Sequence, residues 1–331
     1  MLGPDKKTIF LSLLFLPGLI GLVAQEPLQG KPKKIPVCMI IDDGAPFNAK
    51  PHEIPSSFYR DFAEWAKKNG VKGKLSIIPC LKGIALIDGS LGEYPGHSKE
   101  ERLEWIEMIK TSYMPYWTIT PEIITHGTPW DIKEKKLLTG LPNENVWLAA
   151  QPLELQSEYI AEAMRMLKNV GIEAGGLTMC WNYSGSDKVL GEATLNAAEK
   201  VLGLKFVMIF DDTGERPGIA YKRADGALAV DINPNASDDY IFGLTKDLSD
   251  QEIASFADKY ISADGSKGKF VEQIKKGICL IFVTHMPSLY GNGTESGFKV
   301  MKTVIDRLTR HYGERLEWMT GKEICEHFTK Q

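Results

Sequence analysis

Seven short apolar runs, each closed by polar or turn-forming residues, set the terms on which this chain can fold. They are IPVCMII (35–41), LSIIP (75–79), EIITHG (122–127), GGLTMCW (175–181), LKFVMIFDD (204–212), ALAVDI (227–232) and ICLIFVTH (278–285). A continuous apolar run of this length reads as a strand buried on both faces, as in a parallel sheet covered by helices. Helix-length amphipathic stretches separate the runs. SSFYRDFAEWAKKNG places Phe58, Phe62 and Trp65 at helical spacing and stops at Gly70. Further helices are expected over 99–111, 154–169, 187–202, 249–260, 269–276 and 296–312. A short strand, LEWMT, and a terminal helix over 321–329 follow.

Strand and helix in alternation predict a parallel α/β architecture. No long polar linker follows residue 35, so one α/β barrel over 35–331 fits better than two domains. A doubly wound open sheet is the rival, because strand closure is not written in a sequence. No GxGxxG, GKS or GKT occurs, so a nucleotide-phosphate loop is not expected.

With 331 residues, 43% of them hydrophobic, the chain is long enough to bury a large core. Lys plus Arg number 39 against 43 Asp plus Glu, a formal charge of −4, so no nucleic-acid partner is expected. At the amino terminus, Lys6 and Lys7 precede the apolar stretch IFLSLLFLPGLIGLVA, and a polar segment follows. This reads as a signal peptide over 1–24 and a linker over 25–34, with a retained anchor as the rival. The expected location is secreted or periplasmic, with no membrane span left after cleavage. Five Cys without a CxxC, three of them (Cys38, Cys180, Cys279) in strand-like runs, read mainly as buried thiols. The sequence assigns no oligomeric state.

In parallel α/β folds, sites gather beyond the carboxyl ends of the strands. Four strand ends here carry chemistry-capable groups: Asp42–Asp43, His126, Asp211–Asp212 and His285. Adjacent carboxylates after an apolar strand repel one another unless a cation or donor compensates. Asp43, His126 and His285 suit a divalent metal, with Zn first and Fe, Co or Mn as alternatives. Asp131, five residues beyond His126, has reach to the same cleft, and Asp187 reads as a helix cap. Among the loop aromatics, Trp130, Trp181 and Tyr290 neighbour candidate site segments and are expected to face a carbohydrate substrate.

At these residues the chain resembles the glycoside hydrolase/polysaccharide deacetylase barrel superfamily, whose fold is a distorted seven-stranded (β/α) barrel. MIIDDG (39–44) is similar to its first motif, which implies Asp42 as catalytic base and Asp43 as metal ligand. PEIITHG (121–127) resembles the start of the second motif, in which a histidine opens an HxxxH metal pair. His126 fits, but Trp130 stands where the second histidine belongs. The substitute set is Asp43, His126 and Asp131; the alternatives are His285 on the metal or a barrel without metal. IFVTH (281–285) is similar to the last motif, implying His285 as the acid that assists the leaving group.

The expectation is therefore an exported carbohydrate-active hydrolase, with metal-dependent deacetylation of an acetylated sugar or polysaccharide first. A glycoside hydrolase would instead pair Asp42 or Asp43 with Asp211 or Asp212 as its two carboxylates. A noncatalytic carbohydrate-binding barrel needs only the aromatics.

Overall fold

Every second side chain of the first apolar run points one way and the intervening ones the other, as a strand requires. In the computed structural model, which describes residues 34–47 and 53–330, this run is β1 (Ile35–Gly44). Val37, Met39 and Ile41 join the main core, whereas Cys38 and Ile40 join a separate, smaller cluster. Both faces are thus buried, because both are covered: one by the helices, the other by the strands opposite.

Six further strands run parallel to β1. They are β2 (Gly73–Ile77), β3 (Trp117–Pro121), β4 (Gly176–Thr178), β5 (Phe206–Phe210), β6 (Leu228–Asp231) and β7 (Leu280–His285). Ladder pairing runs β7–β1–β2–β3 and β4–β5–β6. The parallel bridges Ile119–Ala174 and Glu122–Thr178 join β3 to the β4 side. On the far side β7 pairs with Ala236–Ser237, immediately after β6. The side chain of Asn235 acts there as a substitute rung: its Nδ2 donates to Cys279 O (3.1 Å) and its Oδ1 accepts from Ile281 N (3.1 Å). The result is a distorted seven-stranded α/β barrel. The antiparallel strand Gly218–Lys222 extends the wall beside β6, and Leu316–Trp318 pairs with the start of β1.

The barrel interior is divided. On one side Cys38, Ile40, Met208, Val230, Ile281 and Val283 form an apolar filling. On the other, β2 and β3 send in Lys74, Ser76, Thr118 and Thr120, and Thr120 Oγ1 lies 2.8 Å from Thr178 Oγ1. Lys74 spans the two halves, its Nζ 4.9 Å from the Phe210 ring centroid.

Helices α1 (Ser56–Lys68), α2 (Lys99–Met108), α3 (Leu153–Asn169), α4 (Asp187–Leu202), α5 (Asp250–Tyr260), α6 (Lys269–Lys276) and α7 (Ser296–Tyr312) lie along the chain between and after the strands. Their limits follow local chemistry. Ser98 with Glu101 and Ser249 with Glu252 form capping boxes at the starts of α2 and α5. Gly203 and Gly277, both left-handed, end α4 and α6. The expected 99–111 helix is α2 followed by a π-helical turn over Ile109–Tyr113. Helix α8 (Gly321–Thr329) puts Ile324 and Cys325 against the interior cluster of β1, β5 and β7. Gly321 passes so close that a Cβ there would stand 2.6 Å from Met208 Sδ.

One expected strand moves. The run 122–127 is irregular, and the strand lies just before it at Trp117–Pro121. Its Thr118 and Thr120 face the polar half of the interior, so the segment lacks the continuous apolar signature. All five Cys are buried free thiols. No described helix is long and apolar enough to cross a membrane. The expected signal peptide (1–24) and all of the linker but Lys34 lie outside the described residues.

Candidate functional site

Consecutive residues of a regular strand point to opposite faces, so Asp42 and Asp43 should diverge. A β-bulge changes this. Ile41 pairs with Leu75 and Gly44 with Ile77, leaving one extra residue on β1. Asp43 takes up the irregularity in the left-handed region (φ 66°). Gly44 then passes β2 so closely that a Cβ would lie 2.4 Å from Ser76 O. Both carboxylates consequently line one cleft at the carboxyl end of the barrel.

Asp43 meets two groups from the segment after β3. His126 Nε2 lies 3.1 Å from Asp43 Oδ1 and 3.2 Å from Glu122 Oε1, and Asp43 N donates to Glu122 Oε2 at 2.9 Å. One ligand atom from each of Asp43, Glu122 and His126 falls within 4.8 Å of the other two. This is the geometry of a three-donor metal site, and its two oxygens and one nitrogen suit a borderline or hard divalent ion. Burial opposes charge on His126, but Glu122 and Asp43 outweigh it and raise the imidazole pKa to about 11. Burial likewise pushes Glu122 up, yet His126, Lys74 and Ser76 bring it down to about 2. Without a metal, an imidazolium therefore sits between the two carboxylates and offsets one of their two charges.

Below this cluster, Asp42 is held by a buried ion pair with Lys74. Ser76 Oγ bridges the layers, 3.0 Å from Asp42 Oδ1 and 2.6 Å from Glu122 Oε2. Burial raises the Asp42 pKa against the opposing pull of Lys74. At the end of β7, His285 Nδ1 lies 3.0 Å from Asp238 Oδ2, which leaves Nε2 for the cleft. Burial would lower the His285 pKa, but the Asp238 bond and charge raise it to about 9.

Two adjoining clefts, of about 470 and 240 Å³, share Asp43, His126, Phe242 and His285. The larger is walled by Ile54, Ile78, Leu81 and Tyr290; the smaller by Met179, Trp181, Asn182 and Asp211. Together they are within the size range of small-ligand sites.

The structure thus gathers Asp42, Asp43, His126, Asp211 and His285, with Trp181 and Tyr290 on the walls. Three expected residues lie outside the two clefts. Asp131 accepts from the amides of Lys133 and Glu134 (both 2.9 Å) in a local turn, and Glu122 takes the place expected of it beside Asp43 and His126. Trp130 is only 2% exposed and belongs to the core, its amide donating to Tyr159 Oη at 2.9 Å. Asp212 binds Asn182 Nδ2 and its neighbour Thr213 at the exposed rim. Glu122, Lys74, Asp238 and Phe242 were missed. Glu122 and His126 are four apart, a spacing that would have flagged the pair had residue 122 been read as a strand end.

No protein-family model matches the sequence, and no curated protein matches it. Solved structures do resemble the fold. A protein classed as a glycoside hydrolase/deacetylase from Parabacteroides distasonis superposes with TM-score 0.50 at 11% identity, covering 91% of this chain and 72% of its own. A 4-alpha-glucanotransferase from Thermococcus litoralis gives 0.47 at 14% identity over 90% of this chain, which spans 41% of that enzyme's length. A CE4 family pseudoenzyme from Bacillus anthracis gives 0.41 at 12% identity, covering 89% of this chain and 66% of its own. The first of these superpositions, together with the strand order described above, shows that the chain has the fold of a glycoside hydrolase/deacetylase barrel.

Proposed function

We propose that the protein is a carbohydrate-active hydrolase that removes acyl groups, acetyl first among them, from a sugar or polysaccharide with the help of a divalent metal. The observation that carries this reading is the convergence of the Asp43–Glu122–His126 cluster and the Asp238-tethered His285 on one pair of clefts. The classing of the Parabacteroides protein supports the substrate class.

Asp43, Glu122 and His126 would hold the ion, with Zn first and Co, Mn or Fe as alternatives. When bound, such an ion polarises a carbonyl and acidifies water. His126 must release its proton to become a ligand, so metal uptake is coupled to proton release. Asp42 accepts the proton of the attacking water; burial makes it more basic than a surface carboxylate, and Lys74 and Ser76 fix its position. His285, protonated near neutrality and oriented through Nδ1, donates from Nε2 to the departing amine or alcohol. Trp181, 54% exposed with its ring 5.5 Å from that of His126, offers a stacking face for a sugar ring. Export belongs to the reading as well, supported by the basic and then apolar residues 6–24.

The test is metal content of the purified protein together with acetate release from acetylated glycans. We expect about one metal per chain, lost in Asp43→Ala, Glu122→Ala and His126→Ala but kept in Asp131→Ala. No bound metal after replenishment with Zn, Co, Mn and Fe would overturn the metal-dependent reading. A second reading, two-carboxylate glycoside hydrolysis, is favoured by one observation. Asp211, on the smaller cleft with Asp42 and Asp43, is raised by burial to about 6, as suits a general acid. Release of reducing sugar without acetate would select it.

A further inference from the structure

His126 stands on an improbable piece of backbone. Between Glu122 and Gly127 there is no regular structure, and both Ile123 (φ 47°) and His126 (φ 61°) are left-handed. For a β-branched residue such as Ile123 this conformation is a genuine outlier, which persists only where its surroundings impose it.

Backbone bonds impose part of it, Ile123 N to Thr178 O (3.0 Å) and Cys80 N to Ile124 O (2.8 Å), and one side chain, that of Glu144, holds the rest. This side chain is fully buried, and its carboxylate accepts from three amides of the segment. Ile124 N lies 3.2 Å from Oε1, Thr125 N 3.1 Å from Oε1 and 3.2 Å from Oε2, and Gly127 N 3.1 Å from Oε2. Tyr159 Oη donates to Oε1 at 2.5 Å and accepts from Trp130 N, which ties down the far end of the same loop. Glu144 N closes the ring by donating to Gly127 O at 2.7 Å. A buried carboxylate with no paired cation is costly unless hydrogen bonds replace its water, and here the loop amides and Tyr159 supply them. The arrangement is reciprocal: the loop satisfies Glu144, and Glu144 holds the loop in a shape that it would not adopt alone.

We propose that Glu144 is the positioning residue of the candidate metal centre, a carboxylate that never touches metal or substrate but aims His126 Nε2 between Asp43 and Glu122. The proposal rests on the metal reading of that cluster for its functional meaning, though not for its geometry. Glu144→Gln keeps the volume but replaces one acceptor with an N–H₂ that faces loop N–H groups, so His126 is released while the barrel remains. A merely structural role would lower stability without moving metal affinity.

The experiment compares wild type, Glu144→Gln and Leu308→Ala, the last a truncation of a buried core residue in α7. Mn²⁺ and Zn²⁺ dissociation constants are measured by calorimetry well below each melting temperature, and the metal-free Glu144→Gln crystal structure is determined. Loss of a group that orients a ligand costs about 10–100-fold in metal affinity. We expect that loss in Glu144→Gln alone, with His126 Nε2 displaced from Asp43 and Glu122. Unchanged affinity with His126 in place would overturn the proposal, as would an equal affinity loss in Leu308→Ala. If wild type binds neither ion, the metal reading falls by itself, and the crystal structure still decides: His126 displaced sustains the positioning role, and His126 in place ends it.

Discussion

Asp238 Oδ2 holds His285 at two points, accepting from its backbone amide at 3.1 Å and lying 3.0 Å from its Nδ1. Thr284 Oγ1 donates to the same oxygen at 3.1 Å. The imidazole is therefore fixed in orientation, and one carboxylate sets both its tautomer and its charge.

Replacing Asp238 with Asn removes the charge that lifts His285 to about 9, and its pKa falls toward the ordinary 6.5. If His285 is the acid, activity is lost as pH rises through its pKa, so the alkaline limb of a kcat/KM profile moves down in Asp238→Asn. The linked stability has the same sign. A raised folded pKa contributes stability that is complete below the unfolded value near 6.5 and disappears as pH rises through about 9. Urea melts of wild type and Asp238→Asn across pH 5.5–9.5 check it; parallel curves would contradict the assignment.

Lys74 is the cation bonded to Asp42, and both side chains are nearly inaccessible. Lys74→Met leaves a buried carboxylate without its partner, a change that costs about 3–5 kcal/mol. The double variant Lys74→Met/Asp42→Asn carries no buried charge at the pair and is expected to recover most of that loss in chemical denaturation. Neither is expected to be active, because both disable the proposed base.

The two tryptophans separate packing from binding. Trp130→Ala empties a core position and is expected to cost about 3–5 kcal/mol. Trp181→Ala is expected to leave the melting temperature unchanged and to raise KM for a glycan roughly two- to tenfold, the worth of one aromatic stacking contact. A shared fall in stability with no KM difference would reverse the two roles.

Asp231, at the end of β6, is pushed by burial to about 8, with Asp211, Asp187 and Asp212 adding to the rise. Its folded form keeps a proton that the unfolded chain releases near pH 4, so stability falls as pH rises from about 4 to 8. Asp231→Asn is expected to flatten that decline and to be the more stable protein at pH 8. Thermal melts at pH 5 and pH 8 read the difference directly.

The longer helices were legible almost to the residue because their ends are written in local chemistry, as at Ser98, Ser249, Gly203 and Gly277, whereas the short helices Glu144–Ala149 and Met286–Tyr290 were not. Five of the seven strands were legible because their side chains meet apolar neighbours on both faces; β2 (Gly73–Ile77) was legible only at its apolar end, in the run 75–79, because Lys74 and Ser76 face the polar half of the interior. The strand at Trp117–Pro121 was not, since half its residues face the polar half of the interior, a fact that depends on Lys74 arriving from β2. The same limit applies to the site. Asp42, Asp43 and His285 follow apolar strands and announce themselves, whereas Glu122 was hidden inside a run read as strand. Asp238 and Glu144 act on partners 47 and roughly 20 residues away, and no local pattern carries that distance. Trp130 and Asp131 show the converse: residue type and proximity to His126 suggested roles that their packing and turn bonds fill otherwise.

The position of α8 has a consequence for how the protein is made. Ile324 and Cys325 complete the lining that Cys38 and Ile40 begin, about 290 residues earlier in the chain. At a translation rate of about 5–20 residues per second, the inward face of the first strand waits on the order of 15–60 s for its last neighbours. Until those residues are made, the lining lacks the neighbours that α8 supplies. Docking of α8, rather than the pairing of any strand, is therefore the step that completes this apolar lining.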